Sequence, residues 1–143
     1  MTLIARTAET HAPYDQAIAG VAAFFEDRPH LTVRGVAATR APVDVRYELL
    51  YDWTRLVKKH EGVAVMWRPR WRGFPSFGAT LTVRPSAESA LLVLEGSYEP
   101  PGGAIGRLFD RAIGARLAAG TMDALLSDIV RYVRRRPAEA KPA

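Results

Sequence analysis

Cysteine is missing from the 143-residue sequence. Its absence excludes a disulfide scaffold, a thiolate metal site and a cysteine nucleophile. Histidine is scarce, because His11, His30 and His60 are the only three, and they lack the HxH or HExxH spacing of zinc sites. Serine-hydrolase and nucleotide-binding glycine motifs are also missing. The sequence therefore predicts neither a metal nor another cofactor, and it identifies no catalytic residue.

Long hydrophobic runs are missing as well. The longest aliphatic run, from Ala90 to Leu94, is far shorter than the roughly 20 residues of a membrane-spanning helix. The first residues, Met1 to Arg6, contain no apolar segment typical of a secretory signal. We therefore expect no transmembrane segment and a cytoplasmic location. The length and the 48% hydrophobic content predict one domain over residues 1–136, followed by a flexible tail over 137–143.

The order of predicted elements indicates an α+β fold. Apolar residues recur at helical spacing after Pro13 and predict a short N-terminal helix that ends before Pro29. Alternating apolar and polar residues over 43–53 predict a strand. The other predicted strands cover residues 3–10, 31–40, 62–68, 78–84 and 90–98. Short turns join the strands from residue 43 onward, so neighbouring strands must be antiparallel, because a parallel crossover needs a dozen or more residues.

The last predicted element is a helix over residues 104–136, about 50 Å long at 1.5 Å per residue. Its apolar positions follow alternating spacings of three and four residues. They are Ile105, Leu108, Ala112, Ala115, Ala119, Met122, Leu126, Ile129 and Val133. A helix of this length can lie across a whole sheet.

Two segments resemble the START/Bet v1-like (SRPBCC) helix-grip superfamily, particularly its bacterial polyketide cyclase/dehydrase-like members. Residues 12–18, APYDQAI, resemble the family's entry into the first helix, and residues 96–110, GSYEPPGGAIGRLFD, resemble its last strand and the start of the long helix. The resemblance implies a curved antiparallel sheet wrapped around a long C-terminal helix, with an apolar cavity between them. It implies binding of a hydrophobic or aromatic small molecule, lipid-like or polyketide-like, and some members are cyclases.

Small residues are frequent in the middle of the last helix, over 114–120. A glycine inside a helix lowers helix stability by about 1 kcal/mol relative to alanine, so the presence of Gly114 and Gly120 calls for a structural explanation. Close packing against the sheet is one reading, and space for a ligand is the other. The resemblance favours the second.

Aromatic residues on the inward parity of the strands are candidates for the wall of such a cavity, because buried tyrosine and tryptophan need hydrogen-bond partners. Ordinary core packing is the alternative. Arg46 is a further polar candidate, although it has the opposite strand parity. The candidate ligand-binding residues are Tyr47, Tyr51, Trp67, Leu81, Leu94, Tyr98, Phe109, Ala115, Ala119 and Met122.

Positive charge, within a net charge of +5, is concentrated over residues 55–72 and 128–143. Residues 67–74, WRPRWRGF, form a basic loop in which arginine and aromatic residues are interleaved, as in single-stranded nucleic-acid binders. A solvated turn is the simpler reading, and we expect no specific nucleic-acid binding. The alternative function is an interaction module that contacts an acidic partner, a membrane surface or nucleic acid through this loop. A monomer and a homodimer both remain open.

Overall fold

The computed structural model describes residues 2–36, 45–58, 62–70, 74–99 and 111–136. Two predicted segments lie outside these ranges: the first residues of the last helix, 104–110, which include Phe109, and the tail 137–143. The elements in chain order are β1 (Thr2–Glu9), α1 (Tyr14–Glu26), β2 (Leu31–Arg34), β3 (Arg46–Asp52), α2 (Thr54–Val57), β4 (Val63–Pro69), β5 (Ser76–Ser86), β6 (Ser89–Glu99) and α3 (Arg111–Arg135).

The described strands form one six-stranded sheet in the order β1-β6-β5-β4-β3-β2. Each pair of neighbours is antiparallel, as predicted from the short connections. The tightest turn, Ala87 and Glu88, joins β5 to β6, and Ala87 adopts a φ of 49°. The chain thus continues along the sheet from β3 to β6 and places β1 beside β6.

The alternation of side chains gives the sheet one buried face. Trp67 of β4 lies opposite Leu49 of β3 and Phe77 of β5, and Phe77 lies opposite Tyr98 of β6. All four side chains are buried. The predicted inward parity of Trp67 and Tyr98 is therefore correct, and it brings aromatic side chains from separate strands into one row.

The sheet contacts α3 near both of its edges. On the β1 side, the Arg6 guanidinium donates to both carboxylate oxygens of Asp123, at 2.8 and 2.5 Å. Beyond the end of β2, the Val36 N–H donates to Thr121 Oγ1 at 3.1 Å. This curled half-barrel with α3 against its inner face confirms the predicted α+β, helix-grip fold.

Among the predicted strand ends that differ from the structure are those of β2 and β3. β2 ends at Arg34 instead of residue 40, although residues 37–40 lie outside the described ranges. β3 ends at Asp52, and Trp53 begins a turn, so the predicted end at residue 53 is wrong by one residue. The Asp52 carboxylate accepts hydrogen bonds from the Thr54 N–H and hydroxyl, and this local turn lies where α2 begins. A helix of four residues is too short to show periodicity in the sequence.

The buried face of α3 is only partly the predicted one. Leu126 and Ile129 are buried, as expected. Ala115 and Ala119 are only half-buried, whereas Leu117, Ala118, Thr121 and Leu125 are fully buried. The reason is physical: a helix with apolar residues on a wide arc orients its larger side chains inward, because leucine buries more apolar area than alanine.

Candidate functional site

An aromatic cluster lies on the inner face of the sheet. The rings of Trp67 and Phe77 stack with centroids 4.8 Å apart and an interplanar angle of 20°. Tyr47 meets Phe77 edge to face, with centroids 5.1 Å apart. The alternation on β3, β4 and β5 turns all three side chains inward, and such stacked or edge-to-face pairs stabilise the arrangement by about 0.5–1.5 kcal/mol each.

The Tyr47 hydroxyl is buried and hydrogen-bonded. It donates to the backbone oxygen of Pro75 at 3.0 Å, which ties β3 to the segment that leads into β5. Burial raises the pKa of Tyr47 above its ordinary value, because the phenolate would be desolvated. Tyr47 is therefore a neutral hydroxyl at physiological pH.

The indole nitrogen of Trp67 differs from the Tyr47 hydroxyl in its hydrogen bonding. Trp67 is completely buried, and within the described ranges its Nε1–H has no hydrogen-bond partner. Leaving a buried donor unsatisfied costs about 1–3 kcal/mol, so buried donors of this kind are uncommon. The other such atom among the described residues, Ser89 Oγ, lies at the start of β6 in the β5–β6 turn region. Trp67 thus places within the aromatic cluster a donor that no described residue uses.

Tyr51 has a structural role of its own. Its hydroxyl donates to the backbone oxygen of Phe25 in α1 at 3.1 Å, and the two rings lie 4.6 Å apart. Burial also raises the pKa of Tyr51, with the charge of Arg28 acting in the opposite direction. The Tyr51 side chain therefore anchors α1 to β3, and its hydroxyl already has a partner.

The first half of α3 packs closely against the inner face at both of its interior glycines. A Cβ atom on Gly114 would lie 2.9 Å from Tyr98 Cε2, and one on Gly120 would lie 2.1 Å from the Val36 oxygen. Close packing therefore accounts for these two glycines. Ala118 is buried between them, whereas Ala115 and Ala119 are half-buried.

The remaining candidates take several positions. Leu81 and Leu94 are buried cross-strand partners in the core, and Met122 is buried on α3. Arg46 is exposed on the outer face, as its parity indicated. Phe109 lies outside the described residues.

Two residues of the proposed site are missing from the sequence-based candidates: Phe77 of the aromatic cluster and Leu117 of α3. Phe77 lies just before the predicted strand over 78–84, whereas β5 begins at Ser76. A strand started two residues earlier would have given Phe77 the same parity as Leu81. Leu117 lies beside Tyr47, since a Cβ on Gly35 would be 3.1 Å from Leu117 Cδ1 and 3.2 Å from Tyr47 Cε2.

The basic loop does not present its first aromatic residue to solvent. Trp67 belongs to the core, so its ring is not part of the loop surface that a nucleic acid would contact. Arg68 and Arg70 are exposed, Phe74 is half-buried, and residues 71–73 lie outside the described ranges.

The described part of the chain bears on two further kinds of feature, metal clusters and membrane-spanning helices. Its residues include no group of three acidic, histidine or cysteine side chains that could hold a metal ion. No described helix is long and apolar enough to cross a membrane.

No family model and no curated protein matches the sequence. Solved structures do resemble it. The structure of TTHA0849 from Thermus thermophilus superposes with a TM-score of 0.58 at 16% identity and covers 96% of this chain and 100% of its own. The Zhui aromatase/cyclase from Streptomyces sp. R1128 superposes with a TM-score of 0.55 at 16% identity and covers 99% of each chain. The described part of the chain therefore has a helix-grip fold that is similar to the fold of this aromatase/cyclase.

Proposed function

We propose that the protein binds a hydrophobic or aromatic small molecule between the inner face of the sheet and α3, beside the aromatic cluster of Tyr47, Trp67 and Phe77. The observation that carries the proposal is the buried Trp67 Nε1–H without a partner among the described residues. A bound molecule with a hydrogen-bond acceptor would satisfy this donor and remove its desolvation cost.

The surroundings of Trp67 support a planar ligand. Phe77 and Tyr47 present π-systems, and aromatic pairs favour offset-stacked and edge-to-face contacts. Ala115 and Ala119 of α3 are half-buried and have short side chains, so they would leave a ligand more room than larger residues would. An apolar wall with few polar groups is the usual form of a small-molecule site.

A cyclase-like activity would use the same site by positioning. Catalysis there would consist of holding one folded conformation of the substrate against the rings of Tyr47, Trp67 and Phe77. The fold shared with an aromatase/cyclase supports this extension of the proposal.

The test compares two planar molecules that differ in one acceptor. 9-Fluorenone carries a carbonyl oxygen, and fluorene has the same ring system without it. We expect titration followed by isothermal calorimetry to give tighter binding of fluorenone in the wild-type protein. The Trp67→Phe variant should bind both molecules equally, because its aromatic ring remains but its donor is gone.

A second variant locates the site. Ala115→Phe fills space at the first half of α3 and should abolish fluorenone binding. Ala124→Phe makes the same change at a half-buried alanine in the second half of α3 and should retain binding. Equal affinity of wild-type protein for fluorenone and fluorene, or unchanged binding by Ala115→Phe, would contradict the proposal.

A further inference from the structure

A groove crosses the outer face of the sheet, on the side opposite α3. It has a volume of about 540 Å³ and extends over β3, β4, β5 and β6. Leu50 and Met66 lie opposite each other in the strand register and form one apolar side, with exposed fractions of 41% and 51%. Ala64 and Gly78 contribute to its floor. A volume of this size lies within the range of small-molecule sites.

Gly78 is the feature of this groove that the fold does not require. A Cβ atom built on Gly78 would meet only the Val65 oxygen, at an ordinary contact distance of 3.7 Å, and the backbone φ of Gly78 is not positive. By contrast, a Cβ on Gly96 would lie 2.0 Å from the Gly78 oxygen, and Gly62 has a φ of +127°. Glycine weakens the interior of a strand and often marks a position that another molecule approaches closely.

The charge of the groove is negative. Asp52 and Glu95 are the charged residues that line it, and no basic side chain does so among the described residues. Register places them in one row, Asp52, Ala64, Thr80 and Glu95, so three strand spacings of about 4.8 Å separate the Cα atoms of Asp52 and Glu95 by about 14 Å. Arg68 lies two residues beyond Met66 on the same face, opposite Glu48, and does not line the groove.

From these observations we infer that the outer groove binds an amphiphilic organic cation, a molecule with an apolar body and a positive charge. The apolar body contacts Leu50 and Met66 and occupies the space over Gly78. The positive charge lies near Glu95 or Asp52. Because the Asp52 carboxylate also accepts hydrogen bonds where α2 begins, Glu95 is the carboxylate to substitute without disturbing that helix. This site is separate from the proposed ligand site under α3.

Tetraphenylphosphonium and tetraphenylborate test the inference, because they have nearly the same size and shape and opposite charge. We expect the wild-type protein to bind the phosphonium ion at least about tenfold more tightly than the borate ion, as measured by calorimetry at low salt. Glu95→Gln should weaken phosphonium binding about threefold, as expected for one exposed charge pair.

Gly78→Val fills the groove from a position where an added Cβ makes only an ordinary contact. We expect this variant to keep or raise the melting temperature, because a β-branched residue favours a strand, and to weaken phosphonium binding about tenfold or more. Thr7→Val, which makes an exposed β-branched residue apolar on β1 outside the groove, should leave binding unchanged. Trp67→Phe should also leave it unchanged, which separates this site from the internal one.

Several results would overturn the inference. The first is that the wild-type protein shows no detectable phosphonium binding, and the second is that it binds both ions equally well. The third is that Gly78→Val and Glu95→Gln both bind phosphonium as tightly as the wild-type protein. A fourth contradicting result is a wild-type dimer in analytical ultracentrifugation that Gly78→Val converts to a monomer. The groove would then be occupied by a second copy of the chain. If Gly78→Val does not fold, the explanation of Gly78 is wrong, and Glu95→Gln still tests the charge requirement.

Discussion

Replacing Leu126 by alanine tests the packing of α3 on the sheet. Leu126 lies on the inward face of α3 and is 1% exposed. The substitution removes three carbon atoms from the core, which corresponds to about 2.4 kcal/mol of lost transfer free energy at about 0.8 kcal/mol per carbon. The cavity that remains adds to this cost, so we expect the free energy of unfolding to fall by about 3–4 kcal/mol, within the usual range of about 2–5 kcal/mol.

Urea denaturation followed by circular dichroism measures the effect, with the free energy extrapolated linearly to zero denaturant. Ser127→Ala is the matched control, because Ser127 is the exposed neighbour on the same helix. It should change the free energy of unfolding by no more than about 0.5 kcal/mol. A Leu126→Ala variant as stable as the control would refute the placement of α3 against the inner face of the sheet.

Three further predictions concern a glycine, a tyrosine and an ion pair. Gly120→Ala should lower the melting temperature in a thermal scan although alanine favours helices, because its Cβ would lie 2.1 Å from the Val36 oxygen; an unchanged or higher value would contradict the close contact. Tyr47 has a raised pKa in the folded protein, so its contribution is complete below the unfolded pKa of about 10 and is lost as pH rises above it. Urea titrations between pH 9 and pH 11 should therefore show a shallower alkaline loss of stability for Tyr47→Phe, and equal slopes would refute this. The Arg6–Asp123 pair, whose side chains are 44% and 42% exposed, should give a coupling energy of about 0.2–1 kcal/mol in a double-mutant cycle that decreases with salt, whereas a coupling insensitive to salt would show a buried pair instead.

The strands and their antiparallel pairing could be predicted because alternation and short turns leave few other arrangements. The period-2 pattern places Tyr47 inward, and the turns between strands determine which strand lies beside which. The inward parity of Trp67 follows in the same way. These features depend on neighbours in the sequence, so the sequence carries them directly.

The parts that were missed depend on contacts between distant residues. The rotation of α3 depends on how Leu117 fits beside Tyr47 and Gly35, and helical spacing alone is compatible with a face centred on Ala115. Whether Gly120 makes room for a ligand or for the chain is likewise decided by Val36, which lies far away in the sequence. The spacing of apolar residues therefore limits which face of α3 can be buried, but it does not determine which one is.

The most direct test of the internal ligand site is the indole N–H resonance of Trp67 in an amide-correlation NMR spectrum. The chain has three tryptophans, so Trp67→Phe assigns this resonance by its disappearance. On addition of 9-fluorenone, the account predicts a downfield shift of the Trp67 indole proton that saturates with the binding curve, while the same concentration of fluorene gives no such shift. A Trp67 indole resonance that stays in place at saturating fluorenone would contradict the proposal that this buried donor receives a ligand.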